Sequence, residues 1–485
     1  MVNDQTRAPL AEAVEYYARK QVIRFHMPGH KGGRGIATLT ENILGKRLFE
    51  LDITGVEGMD DLLQPTGIIK EAERLLAQAF GADESFFLIN GTSSGLQALI
   101  VSLTHTGDTI LVPRNMHKSM VAGLILSGAK PVFLLPEINE DFGIAVGVTP
   151  ATLEAALKTH PEAKAALLIN PTYYGTVCDL GALAELVHGY DCPLLVDEAH
   201  GPHFYFHDDL PPGALTLGAD ASAQGAHKTL CSLTQSSWLH VKGPRVSRER
   251  LQATLAVLLS TSASYPLLAS LDLTRRQMVL EGQSILERTI DLAEKLRSGL
   301  QSLPGLMVFE EQMCNGPAAM ALDPTKVTVN VRQLGLTGQQ VELYLRYEHN
   351  VQVELSDLYN VLFMVGPGNT EEDVRTLVAA FSELVSQCGQ KKVRVSGNSL
   401  PPIPPQVMTP REAFFAVADN VPLSETVGRI STETVTCYPP GIPILCPGEI
   451  VTTEIVEYIT LMINEGYRVQ GPHDGGVTRL RVVKG

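Results

Sequence analysis

Four short stretches of this sequence contain side chains suited to chemistry, and they follow one another in a telling order. In SFFLINGTSSGLQALIVSL (85–103) a strand-like run gives way to Gly91-Thr92-Ser93-Ser94-Gly95, and an apolar helical pattern follows. Hydroxyls and backbone N–H groups at the positive end of a helix dipole make a cup for a phosphate. An ordinary Ser/Thr helix cap reads the same way. In ILVPRNMHKS (110–119), His117 sits just beyond a strand. There an imidazole could stack on a planar ring or stand in solvent. CPLLVDEAHGPHFYFH (192–207) runs an apolar strand into Asp197, and the carboxyl end of a buried strand is where α/β sheets bind ligands. His200, His203 and His207 follow, but their spacing fits no zinc-peptidase motif and no metal is assigned. In SAQGAHKTLCSLTQSSWLH (222–240), Lys228 directly follows His227 among Gly, Ala, Ser and Thr. A lysine on a surface loop is the plain alternative. In a small-residue pocket, however, lost hydration lowers the ammonium pKa and frees a nucleophilic amine.

Phosphate turn, ring-stacking residue, acid at a strand end, then lysine is the layout of a pyridoxal-phosphate site. The cofactor's aldehyde needs an amine, Lys228. Its pyridine nitrogen needs a carboxylate, Asp197, to stay protonated, and its phosphate needs the hydroxyls at 92–95. GHKGGRG near the N-terminus follows no strand and opens no helix, so it is not a dinucleotide fingerprint.

These stations need a scaffold, and the patterning predicts one. From about 65 to 245, the strand-like runs SFFLI, TILVP, PVFLL, AALLIN, CPLLVD and ASAQ alternate with helical patterns such as IIKEAERLLAQAF and LGALAELVHGY. Such alternation means a mainly parallel sheet covered on both faces. A helix LAEAVEYYARK and an irregular arm precede it. A long helical pattern covers 273–303, and a smaller α/β segment follows with strands TKVTVNV, VQVEL and NVLFMVG. The proline-rich SLPPIPPQVMTP then opens a C-terminal module. The expected segments are 1–55 (helix and arm), 56–272 (large domain), 273–395 (small α/β domain) and 406–485 (C-terminal module).

Composition limits the partners. A net charge of -15 argues against nucleic acid, which would favour a basic face. No apolar run reaches the length of a membrane span, and the polar N-terminus shows no secretory signal. Seven scattered cysteines without a C-x-x-C pair suggest reduced thiols, hence a cytoplasmic protein.

The motifs FHMPGHKGG, GMDDLLQPTGIIKEAE, NGTSSG, PRNMHKS, NPTYYG, VDEAHG, AHKTLCSLTQSS and CYPPGIPILCPGE resemble those of the Orn/Lys/Arg decarboxylase family in its short form, and they run from residue 25 to 449. The resemblance implies a mixed α/β fold. Its large domain is that of pyridoxal-phosphate transferases of the aminotransferase-like fold type I, with a mainly parallel seven-stranded sheet. A smaller α/β domain and a C-terminal α+β module complete it. It further implies Lys228 as the Schiff-base lysine, Asp197 on the pyridine nitrogen, and His117 stacked on the ring. Thr92, Ser93, Ser94, His200 and His227 would contact the cofactor, and Glu449 the distal cation of a basic amino acid. Arginine, converted to agmatine for polyamine biosynthesis, is the expected substrate, with lysine and ornithine as alternatives. The Gly-rich arm suggests a homodimer or a larger even oligomer. An aminotransferase or lyase on the same scaffold, or a non-catalytic cofactor-binding protein, would share these features. One departure stands out. The family reads Ser-Thr-His-Lys where this chain has Gly225-Ala226-His227-Lys228, so a hydroxyl expected on the phosphate is missing.

Overall fold

The structure is a computed structural model that describes residues 4–20, 22–388, 401–438, 442–464, 468–471, 473 and 477–485. Residues 439–441 of CYPPGIPILCPGE, residues 399 and 400 of the proline-rich stretch and the end of the last helical pattern at 465–466 lie outside the described residues. The fold is mixed α/β with a large, mainly parallel sheet. The chain divides into two compact units, Met1–Ser102 with Leu195–Leu286, and Leu103–Leu194 with Glu287–Gly485.

In the first unit the strands lie in the order Glu84–Leu88, Ser237–Val241, Ala221–Gln224, Leu194–Asp197. The last pair is parallel and the other two are antiparallel. Strand Ser237–Val241 is absent from the sequence-based expectation. The residues joining it to Ala221–Gln224 form the loop around Lys228 and no crossover helix, so the chain returns antiparallel. Side chains alternate along each strand. The register therefore gathers Asp197, Ala223, Leu239, Ser237 and Leu88 on one face. Ser222, Gln224, Trp238, His240 and Ser85 share the other.

A helix covers each face. Helix Gly91–Leu103 presses on the first so closely that a Cβ on Gly95 would lie 2.7 Å from Leu88 Cδ1. Its start is four residues earlier than the sequence suggests, which makes the NGTSSG hydroxyls its first turn. Helix Ile68–Phe80 buries Ile69, Ala72, Leu76 and Phe80 at helical spacing and stops at left-handed Gly81. On the second face, the Phe80 ring stacks on His240 with centroids 4.5 Å apart. The N-terminal helix Pro9–Arg19 is held by buried Asp272, which accepts from the Leu10 N–H at 3.0 Å and pairs with Arg275 at 2.7 Å. The long helix Tyr265–Gln301 begins eight residues before its expected start, because Pro266 in its first turn forfeits no hydrogen bond.

In the second unit, strands Ala166–Ile169, Thr109–Pro113 and Lys130–Leu134 pair in parallel in that order. A four-stranded antiparallel sheet follows, in the order Met307–Val308, Lys326–Asn330, Asn360–Met364, Leu355–Ser356. Val327, Val329, Val341, Leu345 and Phe381 form its core. The expected strand VQVEL shrinks to its last residue, since Asn350 turns left-handed just before it. Toward the C-terminus, Ala418–Pro422 pairs with Arg479–Val483. A three-stranded sheet packs with helix Thr453–Asn464 around Val435, Leu445, Ile455 and Ile459. No helix among the described residues is long and apolar enough to cross a membrane.

One buried group in the first unit makes stability depend on pH. Glu73 accepts the Phe87 N–H at 3.2 Å, while its Oε2 has no hydrogen-bond partner among the described residues. It lines a small cavity with Leu62, Phe86, Leu255 and Leu259. Burial pushes its carboxyl up to about 8. The proton is therefore held in the fold and released more readily in the unfolded chain. That contribution is complete below the unfolded value near 4.5 and is lost as pH rises through about 8. Glu73→Gln is expected to flatten this dependence. Thermal midpoints measured from about pH 5 to about pH 9 should favour the variant progressively.

Candidate active site

Strand Ala221–Gln224 ends at Gly225, and a single helical turn, Ala226–Thr229, carries His227 and Lys228 away from it. Lys228 is half-buried, and its Nζ lies 3.1 Å from His200 Nε2. Asp197 closes the neighbouring strand opposite Ala223, so its carboxylate emerges on the face covered by helix Gly91–Leu103. The Ala199 N–H donates to it at 3.1 Å. Burial raises its pKa, and the nearby Lys228 charge pulls the other way. Asp197, His200 and Lys228 thus converge at the ends of two adjacent strands.

The hydroxyl-rich turn meets the same loop. Thr92 Oγ1 lies 3.0 Å from Ser237 Oγ, and Gln235 Nε2 donates to the Ile89 carbonyl at 2.6 Å. Ser94 donates to the Gly91 carbonyl at 2.8 Å, and Ser93 is half-buried in the first helical turn. Gln235 holds a left-handed backbone at φ 82°, a strained conformation for a residue with a Cβ and one typical of functional loops. His227 Nδ1 donates to the Ser236 carbonyl at 2.7 Å, and burial lowers its pKa. Its Nε2 can donate to an anion only after taking up a proton.

His117 belongs to the second unit, where it is exposed and caps helix Lys118–Ser127 through Nδ1. Glu449, also in the second unit, is fully buried. Both of its oxygens bond the Arg114 guanidinium, and Oε2 also accepts the Cys446 N–H at 2.7 Å. Its carboxylate is thus committed to a buried arginine of the same unit. His203 packs on the Phe204 ring, and His207 Nδ1 accepts from the Asp209 N–H at 3.1 Å.

The description "Orn/Lys/Arg decarboxylase, major domain" matches residues 8–373, and the corresponding C-terminal domain matches 394–471. The chain belongs to the Orn/Lys/Arg decarboxylase family. It is 43% identical to an arginine decarboxylase of Bacillus subtilis (strain 168) over 482 residues, which is 99% of this chain and 98% of that protein. In fold it is similar to the constitutive lysine decarboxylase of E. coli, with a TM-score of 0.84 at 23% identity, covering 99% of this chain and 82% of that one. It is also similar to an alanine–glyoxylate aminotransferase from Nostoc sp., with a TM-score of 0.54 at 20% identity over 67% of this chain and 89% of that one. The aminotransferase-like fold expected from the motifs is therefore the observed one.

The family and its fold neighbours imply pyridoxal phosphate, and the residues fit it. Asp197 is a buried carboxylate whose charge burial disfavours, the setting in which a protonated ring nitrogen makes a strong partner. Ala199, Ala223 and Ala226 are small and buried, leaving room for a flat ring. Thr229 Oγ1, beside Lys228, is buried without a hydrogen-bond partner among the described residues. It is a spare hydroxyl one residue from Lys228.

A side chain cannot simply be added at 225. A Cβ there would lie 2.8 Å from the Ala199 carbonyl oxygen and 3.1 Å from Lys228 Cδ. The Gly225 N–H donates to that same carbonyl at 3.2 Å, so the two loops are drawn together by a glycine. Gly225→Ala and Gly225→Ser are both expected to destabilise the protein, by about 1–3 kcal/mol, because the obstruction is the Cβ. Thermal or denaturant unfolding checks this; a serine variant as stable as wild type would contradict the close approach.

Proposed function

We propose that the protein is a pyridoxal-phosphate-dependent arginine decarboxylase that forms agmatine, a polyamine precursor. The convergence of Lys228, His200 and Asp197 at the ends of adjacent strands supports this most directly. The 43% identity to an arginine decarboxylase over almost the whole chain supports arginine over lysine. When bound, pyridoxal phosphate supplies an electron sink for the pair left behind by carbon dioxide.

The chain's own residues divide the remaining work. Asp197 would hold a proton on the ring nitrogen, a charge-assisted contact in a water-poor site. Lys228 Nζ would anchor the cofactor and then return a proton to the substrate's α-carbon. His200 Nε2, 3.1 Å away, can take a proton from Lys228 to leave the amine neutral when it must act as a nucleophile, and can give it back when Lys228 must donate one. The N–H groups at the start of helix Gly91–Leu103, with Thr92, Ser93, Ser94 and His227, would hold the phosphate. Thr229 would supply the hydroxyl lost at 225–226. The buried alanines exclude water.

We also infer a homodimer or larger even oligomer. Ile23, Phe25, Met27, Leu39 and Ile43 of the N-terminal segment are exposed apolar residues gathered in one stretch of chain, with Phe25 96% exposed. A second copy of the same chain is the expected cover, and a stable, active monomer in sedimentation would contradict it.

A substrate panel of arginine, lysine and ornithine tests the reaction. Carbon dioxide and agmatine should form from arginine at a rate well above those of the other two amines. An aminotransferase would instead yield a keto acid and require an acceptor. Lys228→Ala should abolish turnover and the visible absorption of the bound cofactor. Asp197→Asn should stay folded and lose turnover by roughly a hundredfold or more, since one preorganised contact is worth about 3 kcal/mol. A loss of only a few-fold would place the ring-nitrogen partner elsewhere.

A further inference from the structure

Glu198 follows Asp197 in the chain, is fully buried, and takes no part in the chemistry described above. Because side chains alternate, it stands on the opposite face of the sheet, with Ser222 and Gln224. Its carboxylate collects four donors from three segments. The Ala214 N–H donates at 2.8 Å, Gln224 Nε2 at 2.8 Å and the Tyr205 hydroxyl at 3.0 Å; Ser222 Oγ is the fourth. Tyr205 in turn accepts the Leu215 N–H at 3.1 Å.

The chain of hydrogen bonds behind Gln224 has one direction. Its amide nitrogen serves Glu198, so its oxygen must accept, and His240 Nε2 lies 3.1 Å from that oxygen. His240 therefore carries its proton on Nε2, and burial lowers its pKa to about 3, which keeps it neutral. Its Nδ1 must then accept from Ser85 Oγ at 2.7 Å. From Ser85 to Glu198, each group donates toward the carboxylate. An ionised carboxylate, which only accepts, is the natural terminus of such a chain.

The backbone of the same residue ties the site together. The Glu198 N–H donates to the Ala223 carbonyl at 3.0 Å, and the Gly201 N–H donates to the Glu198 carbonyl at 2.9 Å. Between these anchors lie Ala199, which donates to Asp197 and accepts from Gly225, and His200, which meets Lys228. Building on the proposed decarboxylase reading, we propose that Glu198 is a positioning residue: its buried carboxylate clamps the 197–201 turn from the rear of the sheet and so fixes Asp197 and His200 relative to Lys228. A misplacement of about 1 Å costs on the order of a hundredfold in rate, so the clamp matters to turnover more than to substrate affinity.

Glu198 also titrates in a useful range. Burial pushes its carboxyl up to about 7, against the pull of its four donors. The groups facing it are Tyr205, whose own pKa is driven well up, Ser222, Gln224 and the Ala214 N–H, with His240 beyond Gln224. Asp197 and Lys228 lie on the other side of the strands. A negative charge behind Asp197 favours positive charge at the cofactor site.

The test compares wild type with Glu198→Gln, which keeps the shape and removes the charge. Wild type must first bind pyridoxal phosphate and decarboxylate arginine; failure there sinks the preceding proposal rather than this one. With wild type active, Glu198→Gln is expected to lower kcat about tenfold or more while KM moves less than about threefold. The pH midpoint of the cofactor's visible absorption should fall by about half a unit to one unit. A purely structural role would lower the melting temperature and leave that midpoint in place, and this result overturns the proposal. Tyr205→Phe removes one donor and keeps the carboxylate, so it covers the case in which Glu198→Gln does not fold. It should lower kcat severalfold at steady KM, and an unchanged kcat would equally overturn the clamp.

Discussion

The structure turns on the parallel pairing of strand Leu194–Asp197 with strand Ala221–Gln224. The register opposes Asp197 to Ala223, and one step further along the chain Glu198 passes to the opposite face. One strand end thus serves two environments: a small-residue face for the reactive groups and a polar, hydrogen-bonded face for their support. A slip of one residue would exchange the two carboxylates. The alanines at 199, 221, 223 and 226 keep the reactive face open. Ser222, Gln224, His240 and Ser85 fill the other face with a closed polar network.

Four buried carboxylates illustrate how context decides the state of a charge. Glu449 is answered by a guanidinium, and Arg114 also reaches the Ile444 carbonyl and the Phe133 ring. Glu198 is answered by neutral donors alone and stays near its titration point. Glu73 has one backbone donor and a small cavity, and it keeps its proton. Asp197 has one backbone donor and a lysine close by, an arrangement poised for a cationic partner. Burial costs are similar in kind across the four, so the partners make the difference.

The residues proposed as reactive in the first unit stand out in the sequence because each announces itself locally. Asp197 ends an apolar run, and Lys228 follows one and stands among small residues. The parallel alternation and the decarboxylase motifs were equally plain. Strand Ser237–Val241 was missed because SWLHV follows the lysine loop without the punctuation that marks a strand. Helix Gly91–Leu103 begins inside what reads as a Gly/Ser turn, since those residue types suit a loop and a first helical turn equally well. Glu449 stands out by its motif, whereas its partner, 335 positions earlier, cannot be found by local reading. Glu198 left one signal unused: an acid next to an acid at the end of a buried strand must point to the other face and find donors there.

The close approach at Gly225 has a mechanical corollary. Positions 225 and 199 touch through backbone, so neither the lysine loop nor the acid loop can drift alone. Any side chain at 225 would require the acid loop to retreat first, and that arrangement would hold the lysine less well. Gly225 therefore acts as a latch between the two loops, and a further hydroxyl for an anion is more readily supplied from a neighbour such as Thr229 than from position 225 itself.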